Sequence, residues 1–468
     1  MNGRNRGVAA VVGAVFLAVL AAQLALVAAC GTDIPFQDQW DAEGRLYAAW
    51  RDGTLTAADL FRPWNEHRIV WTHLLNLGLF AADGQWDPLV QLAAIAVLRA
   101  AIAAGLAWAV ARDLSARGRI AVAAAVTVAF LPHLAWHHVL WGFESQIDFA
   151  LGFSLLALGL LGAETRSAPR VIGGLVAGLA GLLAMGAAAL VPVALLGLAA
   201  LRALERRRVA WAEVWPAALL LAAAVWWRTE VPAHAALRPA NAGEFLAAAL
   251  RVLGWPHAQV PLAALTINAP LLLLLGLRLA RRRAAARGED FVVLVAGWSV
   301  ALALATAWAR GGGAELAGGL PSRYVDFAVL LPLANVWAAV TLARETAAAT
   351  RPRSVLIAGA WGAFLLAGWI GLSAQVWRGL VLPRARDREA PVRLMRAFQA
   401  TRDAAVFAGQ PLLLVPHPNP AAVQAVLDDQ RLKGALPPSL QPGQPMGPLS
   451  RVLRPGVGRR AHPEGIRQ

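Results

Sequence analysis

The chain has 468 residues, of which 58% are hydrophobic and only 15% are charged, and its mean hydropathy is +0.54. Soluble globular proteins are usually about 45–50% apolar and about 25% charged. The composition therefore excludes a soluble enzyme, a disordered protein and a disulfide-rich secreted module, and it predicts an all-α polytopic membrane protein. The formal net charge is +15, but no basic cluster is interleaved with aromatic residues, so nucleic acid is not an expected partner.

The first apolar segment, residues 8–29, follows a basic start at Arg4 and Arg6. It runs into Cys30, the only cysteine, which excludes an internal disulfide. The Val-Ala-Ala-Cys end resembles a bacterial lipoprotein signal. The segment is nevertheless longer than the about 7–15 residues of a signal-peptide core, and more apolar segments follow. We therefore expect a retained first helix, with lipidation of Cys30 as the alternative.

Because a helix needs about 20 apolar residues to cross a bilayer, the sequence predicts about eleven spans. The range is ten to twelve, since the segments within 171–203 are short and poorly separated. The predicted organisation is a membrane domain, residues 1–380, and a small extracytoplasmic C-terminal region, residues 381–468. The spans lie at about residues 8–29, 90–111, 120–135, 146–163, 171–186, 188–203, 211–227, 259–279, 291–309, 325–343 and 355–376.

Basic residues assign sides to these spans. With a cytoplasmic N-terminus, nineteen of the 43 basic residues fall on the short inner segments, as the positive-inside rule expects. This predicts a multi-pass protein of the bacterial inner (plasma) membrane, with an extracytoplasmic C-terminus. All nine histidines then lie at or beyond the outer face, so we expect the polar chemistry there.

The first outer loop, residues 31–88, holds nine of the 28 acidic residues. It is too long to be a mere connector, and its pattern predicts short amphipathic helices at the membrane interface. The predicted apolar faces are Leu46, Tyr47 and Trp50 within 41–51, and Trp71, Leu74, Leu75 and Phe80 within 67–80.

Two motifs in this loop could carry chemistry: Phe36-Gln-Asp-Gln-Trp-Asp41 and Trp64-Asn-Glu-His-Arg68. A carboxylate near the membrane surface, with histidine and arginine close by, suits a general base beside an anion-binding group. The alternative is a solvated acidic loop with interfacial anchors, and spacing alone does not choose between them.

Two further motifs, together with the first two, form a pattern that resembles a known class of membrane proteins. The Asp38–Asp41 and Asn65–Arg68 stretches are followed by Trp141-Gly-Phe-Glu-Ser-Gln146 and by Ser322-Arg-Tyr324. With the early acidic outer loop and about ten later spans, this pattern resembles the GT-C class of polytopic membrane glycosyltransferases, and within it a bacterial member. The resemblance covers about residues 1–380. One departure is Glu144, where a neutral glutamine is expected.

The resemblance implies that a sugar moves from a polyprenyl-phosphate carrier to a cell-envelope acceptor at the extracytoplasmic face, with inversion. It implies a carboxylate base, for which Asp38, nearest the end of the first span, is the first candidate. Asp41 is the second, since it lies three residues on and shares a face with Asp38 if the stretch is helical. Groups that bind the substrate or the phosphate should face the leaving group. The candidates for that role are Glu66, His67, Arg68, Glu144, Gln146, Arg323 and Tyr324. A Gly-rich stretch, residues 311–319, could move as a lid or could be a plain flexible loop.

No metal ligand is assigned. His133 and His137 are four residues apart and could share a metal, but neither cysteine nor a suitably placed glutamate accompanies them. Some members of the class need a divalent cation held by carboxylates, and the sequence leaves this open. Arg99 lies in the middle of a predicted span, where an arginine is a functional candidate or half of an ion pair. Asp148 and Asp326 are its predicted partners.

The C-terminal region is predicted to contain a helix within 388–408, a short strand at 412–415 and a helix at 421–427. It is interpreted as a small outer cap, or alternatively as a basic tail on anionic lipid. Two other functions stay open for the whole chain. One is a transporter or flippase of a lipid-linked substrate, although no internal repeat is visible. The other is a non-catalytic membrane scaffold.

Overall fold

The computed structural model describes residues 3–163, 167–206, 208, 210–280, 285–345, 351–411 and 413–454. The chain is all-helical, with 76% of residues in helices and no strand among the described residues. The predicted strand at 412–415 is therefore wrong over its described part, where residues 413–415 form a turn that leads into Pro416.

Seven helices in the described part of the chain are long and apolar enough to cross a membrane. This confirms the predicted class, a multi-pass membrane protein. The helices are Asn5–Cys30, Pro88–Ala111, Gly142–Leu161, Gly186–Arg206, Glu289–Arg310, Ser322–Glu345 and Pro352–Arg386.

The other predicted spans also lie in helices, but these are shorter. Ala168–Leu182, Trp211–Trp226 and Ala263–Leu279 are apolar helices of 10–17 residues, and Ala116–Ala129 covers the start of the segment predicted at 120–135. A helix of 16 residues spans only about 24 Å, less than the about 30 Å of a bilayer core. The number of eleven spans therefore stays a prediction.

The two ends of the apolar domain meet on one side of the molecule. Arg384 Nε donates to the carbonyl of Cys30 at 3.1 Å, and the buried thiol of Cys30 contacts the carbonyl of Val381. If the first helix crosses the membrane, the chain between these contacts crosses it an even number of times. The total is then odd, and the first outer loop and the C-terminal region share one face.

The first outer loop is helical, as predicted, at Gly44–Arg51 and Val70–Asp83. Leu46, Tyr47 and Phe80 are buried as expected. Trp50 and Leu74 are exposed instead, and the buried side chains of the loop pack against the C-terminal region.

The predicted C-terminal region, residues 381–468, starts inside the last apolar helix, which ends at Arg386. It contains the helices Ala390–Thr401, Pro420–Asp428 and Pro448–Leu453. It shares one hydrophobic cluster with the outer loop. The loop contributes Ile34, Trp40, Leu46, Tyr47, Leu77, Phe80 and Trp86, and the C-terminal region contributes Val392, Met395, Phe398, Phe407, Val423, Leu432, Leu436 and Leu440. The two segments together build a core that neither is long enough to build alone.

Candidate functional site

A cavity of about 530 Å³ opens where the outer loops meet the ends of the apolar helices. This volume is typical of small-molecule sites. Seven of the nine predicted site residues line it, although they come from four separate stretches of the sequence. They are Asp38, Glu66, His67, Glu144, Gln146, Arg323 and Tyr324. Asp41 and Arg68 do not line it.

A tight turn brings Glu66 and His67 to the cavity. The backbone amides and carbonyls of Trp64 and His67 bond to each other at 2.8 and 3.0 Å. Asn65 takes a left-handed conformation with φ of 51°, which asparagine tolerates better than most residues. The turn directs Arg68 away, and its Nη1 donates to the carbonyl of Phe61 at 2.8 Å. The prediction that Arg68 faces the site is therefore not met.

Asp38 is held from two sides. The residue before it, Gln37, has φ of 49°, and its amide donates to the carbonyl of Pro416 at 2.6 Å. Trp64 Nε1 donates to Asp38 Oδ2 at 2.9 Å. Burial raises the pKa of Asp38 above its ordinary value, while the Trp64 hydrogen bond and the charge of Arg323 act in the opposite direction. A partly desolvated carboxylate of this kind is a stronger proton acceptor than one in water.

Asp41 does not share a face with Asp38. Residues Gln39–Glu43 form a turn of π-helix, whose turn takes more residues than that of an α-helix, so a spacing of three no longer aligns two side chains. Asp41 instead meets His417 Nε2 at 2.9 Å. Its predicted catalytic role loses its geometric basis, and its contact is with the C-terminal region.

Glu43 fixes the segment that carries Asp38. It is 1% exposed and accepts hydrogen bonds through both carboxylate oxygens, and burial raises its pKa. The shortest contacts come from Asn76 Nδ2 and Gln91 Nε2, each at 2.8 Å. Trp86 Nε1 and Tyr47 OH follow at 3.0 and 3.1 Å. The sequence alone counted Glu43 only as one of nine acids, since its partners lie up to 48 residues away.

The acid-rich loop proves to serve several purposes. Five of its nine acids bind the C-terminal region: Asp33, Asp41, Asp52, Asp83 and Asp87, which meet Ser439, His417, Arg431, Ser450 and Arg454. Asp59 completes a capping box with Thr56, and Glu43 is buried in its own network. Only Asp38 and Glu66 face the cavity.

Glu144 and Gln146 stand at the start of the helix Ser145–Leu161. Gln146 Nε2 donates to Glu144 Oε2 at 3.0 Å, and both side chains are almost fully buried. Residue 144 is a glutamate and not the expected glutamine. Its side chain therefore places a second carboxylate close to Asp38.

Arg323 and Tyr324 enter the cavity on one helical turn, Ser322–Tyr324. The guanidinium of Arg323 lies 5.0 Å from the centre of the Tyr324 ring, a distance at which cation and ring attract each other. Ser322 Oγ accepts from the amide of His137 at 3.1 Å and donates to the carbonyl of Leu134 at 2.8 Å. The turn is thereby attached to the loop that leads to Trp141.

Two cavity residues were missed by sequence reasoning, His234 and Arg310. Both contact Glu66: His234 through Nδ1, and Arg310 through Nη2 at 3.4 Å. Burial raises the pKa of Glu66, but the hydrogen bond from His234 and the charges of His234 and His67 act in the opposite direction, and the pKa falls below its ordinary value. The only feature of the sequence that could have indicated this role was the position of Arg310 at the outer end of an apolar helix.

The cavity continues from these polar groups into the apolar domain. Its lining includes Leu302 and Ala305, on the helix that ends at Arg310, and Leu331, eight residues beyond Arg323. At 1.5 Å per residue, eight residues correspond to a depth of about 12 Å. The cavity therefore combines a charged outer end with an apolar inner part.

A fully buried cluster of four ionisable groups lies next to the cavity. Arg99 pairs with Asp326, as predicted, and His138 joins the two carboxylates: its Nδ1 lies 2.5 Å from Asp326 and its Nε2 lies 2.8 Å from Asp148. All four side chains have no exposed surface. Burial lowers the pKa of His138, but the two carboxylates raise it more, so that it lies above its ordinary value. With His138 protonated, the cluster carries two charges of each sign.

This cluster joins the segments that supply the site. Asp148 follows Gln146 by two residues, Asp326 follows Arg323 by three, and His138 precedes Trp141 by three. Its internal ion pairs hold these three stretches at fixed separations. The cluster therefore positions Glu144 and Arg323 relative to each other.

His133 and His137, which could have shared a metal ion, have different neighbours. His133 Nε2 contacts Ser373 Oγ at 2.7 Å, and His137 packs against Trp141 with ring centroids 5.0 Å apart. Among the residues that the structure describes, no three histidine, cysteine or acidic side chains are grouped so as to hold a metal ion.

Compared with known proteins, the chain matches no family model and no curated protein sequence. Its class is therefore defined by the apolar helices, which make it a multi-pass membrane protein, and by the chemistry of the cavity.

Proposed function

We propose that the protein is a GT-C-like glycosyltransferase of the bacterial inner membrane. It transfers a sugar from a polyprenyl-phosphate carrier to an acceptor at the extracytoplasmic face. The observation that carries the proposal is the cavity that Asp38 and Arg323 both line, which continues about 12 Å into the apolar domain. A sugar attached to a lipid phosphate has a matching sequence of parts. Its polar sugar and its anionic phosphate suit the charged end of the cavity, and its hydrocarbon chain suits the apolar part.

Asp38 acts as the general base. As the acceptor oxygen attacks the anomeric carbon, its proton moves to a carboxylate oxygen of Asp38. The bond between that carbon and the phosphate oxygen breaks, and the lipid phosphate leaves with the electron pair. One such displacement inverts the anomeric centre. The partly buried position of Asp38 supports this role, since desolvation raises its pKa and makes it a stronger base.

The leaving phosphate gains negative charge in the transition state, so a cation placed beside it stabilises that state more than the ground state. Arg323 is the proposed cation and Tyr324 is a neighbouring hydrogen-bond donor. His67 is the third group proposed to face the leaving phosphate. Burial lowers its pKa, so it acts as a neutral hydrogen-bond donor or acceptor rather than as a fixed charge. Glu66, Glu144 and Gln146 are proposed to bind sugar or acceptor hydroxyls.

Replacing Arg323 with glutamine tests the proposal. We expect kcat/KM for the polyprenyl-phosphate sugar to fall by about 10–100-fold, since a hydrogen bond to a charged group contributes about 1.5–3 kcal/mol. The measurement is sugar transfer in membranes or detergent with purified donor. Arg68→Gln is the matched control, because Arg68 lies outside the cavity. Equal losses in both variants would contradict the assigned roles.

The pH profile should report Asp38 directly. The Trp64 hydrogen bond stabilises the carboxylate, so Trp64→Phe raises the pKa of Asp38 further and moves the acid limb of kcat/KM to higher pH. The charge of Asp41 raises the same pKa, so Asp41→Asn moves the limb to lower pH. Opposite shifts in the two variants are expected, and shifts in the same direction would exclude Asp38 as the titrating base.

The two other functions give different results in the same assays. A flippase would move the lipid-linked sugar across vesicles and would release no transferred product. A scaffold would show neither activity, and no phenotype would depend on Asp38.

A further inference from the structure

A second cavity lies at the opposite end of the molecule, where the first apolar helix packs on Pro88–Ala111. Its volume is about 930 Å³. The helix Pro88–Ala111 begins beside the outer loop, and its lining residues run from Ala104 to Arg112 just beyond its end, which places the second cavity about 24–36 Å from that loop. The predicted sidedness assigns this end to the cytoplasmic leaflet.

The walls of this groove are apolar. They are formed by Val8, Ala9, Val12, Gly13, Phe16 and Leu17 from the first helix and by Ala104 and Trp108 from its neighbour. Leu17 and Trp108 are about half exposed or more, at 64% and 49%. In a membrane, such walls face hydrocarbon chains rather than water, and a tryptophan at this depth is typical of the headgroup level.

The mouth of the groove is charged. Arg112 lies with its guanidinium 4.6 Å from the centre of the Trp108 ring. Asp113 lies 3.5 Å from Arg112 Nε and 4.0 Å from Arg287 Nη1, so the three charged groups lie together on one side of the opening. The charged residues lining the groove are two arginines and one aspartate, and the mouth is therefore positive.

We propose that this groove binds one anionic phospholipid, with its phosphate at Arg112 and Arg287 and one acyl chain along Val12, Phe16 and Leu17. Charge complementarity selects an anionic headgroup, because basic pockets between membrane helices attract such headgroups. The apolar walls select a lipid rather than a soluble phosphate, which would leave them unused. The site is separate from the proposed transferase cavity and does not depend on its function.

The test uses the full-length protein in detergent and follows its melting temperature during lipid titration, since a ligand that binds only the folded state stabilises it. Phosphatidylglycerol should raise the melting temperature. Phosphatidylcholine with the same acyl chains, and inorganic phosphate, should raise it much less. Equal stabilisation by phosphatidylcholine would overturn the charge argument, and equal stabilisation by inorganic phosphate would overturn the lipid.

Two variants address the two halves of the site. Arg112→Gln with Arg287→Gln should weaken phosphatidylglycerol binding by roughly 25-fold, at about 1 kcal/mol for each arginine near an anionic group. Gly13→Phe should weaken it by obstructing the acyl groove while leaving both charges; Gly13 is exposed, and a Cβ added there would meet no atom within 4 Å.

Each variant has a matched control outside the groove. Arg344→Gln with Arg353→Gln removes two exposed arginines that the predicted sidedness places at the same membrane face. Gly197→Phe adds the same ring at another exposed helical glycine with open space around it. The controls should bind phosphatidylglycerol like the unchanged protein. If the groove variants do the same, or if the controls lose binding equally, the proposed site is wrong.

Discussion

Changing Asp38 to asparagine is expected to lower sugar transfer by about 10²- to 10⁴-fold, the usual contribution of a general base. Asparagine has nearly the same shape and can still contact Trp64, so the loss would come from the missing proton acceptor. Initial rates should be measured in membranes that contain equal amounts of the variant and of the unchanged protein, with saturating polyprenyl-phosphate sugar.

Two further variants make this result specific. Asp41→Asn should keep most of its activity at its own pH optimum, because Asp41 meets His417 and does not line the cavity. Glu144→Gln restores the residue that the resemblance leads one to expect and should reduce binding more than turnover. If Asp38→Asn stays fully active while Glu144→Gln does not, the base is Glu144; if both stay active, the proposed mechanism fails.

Changing Arg99 to methionine is expected to lower the free energy of unfolding by about 3–5 kcal/mol, the cost of leaving a buried charge without its partner. The change removes one of two positive charges from the cluster with His138, Asp148 and Asp326, none of which has exposed surface. In a membrane domain, water cannot compensate the remaining charge. Unfolding in mixed micelles with increasing denaturing detergent measures this effect.

The double change Arg99→Met with Asp326→Leu separates charge balance from packing. It removes one charge of each sign and leaves His138 paired with Asp148 at 2.8 Å. We therefore expect the double variant to be more stable than the sum of the two single changes would predict, as interacting residues do in such cycles. Strict additivity would show that the four groups do not act as a unit.

The same variants test whether the cluster positions the site. A stable double variant has lost the ion pair between Arg99 and Asp326, and Asp326 lies three residues after Arg323. Its kcat/KM for the lipid donor should fall even where the protein remains folded. An unchanged value in a folded variant would limit the cluster to a structural role.

Much of the membrane domain could be predicted because its signals are local. A run of about 20 apolar residues is helical in a bilayer whatever surrounds it, and every predicted apolar segment overlaps a helix, although those at 120–135 and 171–186 extend beyond theirs. The shorter helices, such as Trp211–Trp226, show the limit of this reasoning. Their length alone does not say whether they cross a membrane, since tilt and packing against neighbours decide it.

The site was predictable only in part. Motif resemblance identified Asp38 and Arg323, which line the same cavity although 285 positions separate them. It also selected Arg68, whose direction depends on the backbone of one turn with Asn65 at a φ of 51°. It missed Arg310, which reaches Glu66 from 244 residues away. No spacing rule carries information about such a contact.

The acidic loop and the basic tail show most clearly the difference between what the sequence determines and what the tertiary structure decides. Composition and charge by themselves determined a multi-pass membrane protein with its acids concentrated outside the first helix, because hydrophobicity and charge act through local sequence. Only the tertiary structure decided what each acid does. Asp33 and Asp87 bind Arg454 of the C-terminal region, Glu43 is buried, and Asp38 and Glu66 face the cavity. These assignments depend on which distant helices pack together, and packing follows the shapes of whole surfaces rather than the order of residues in one segment.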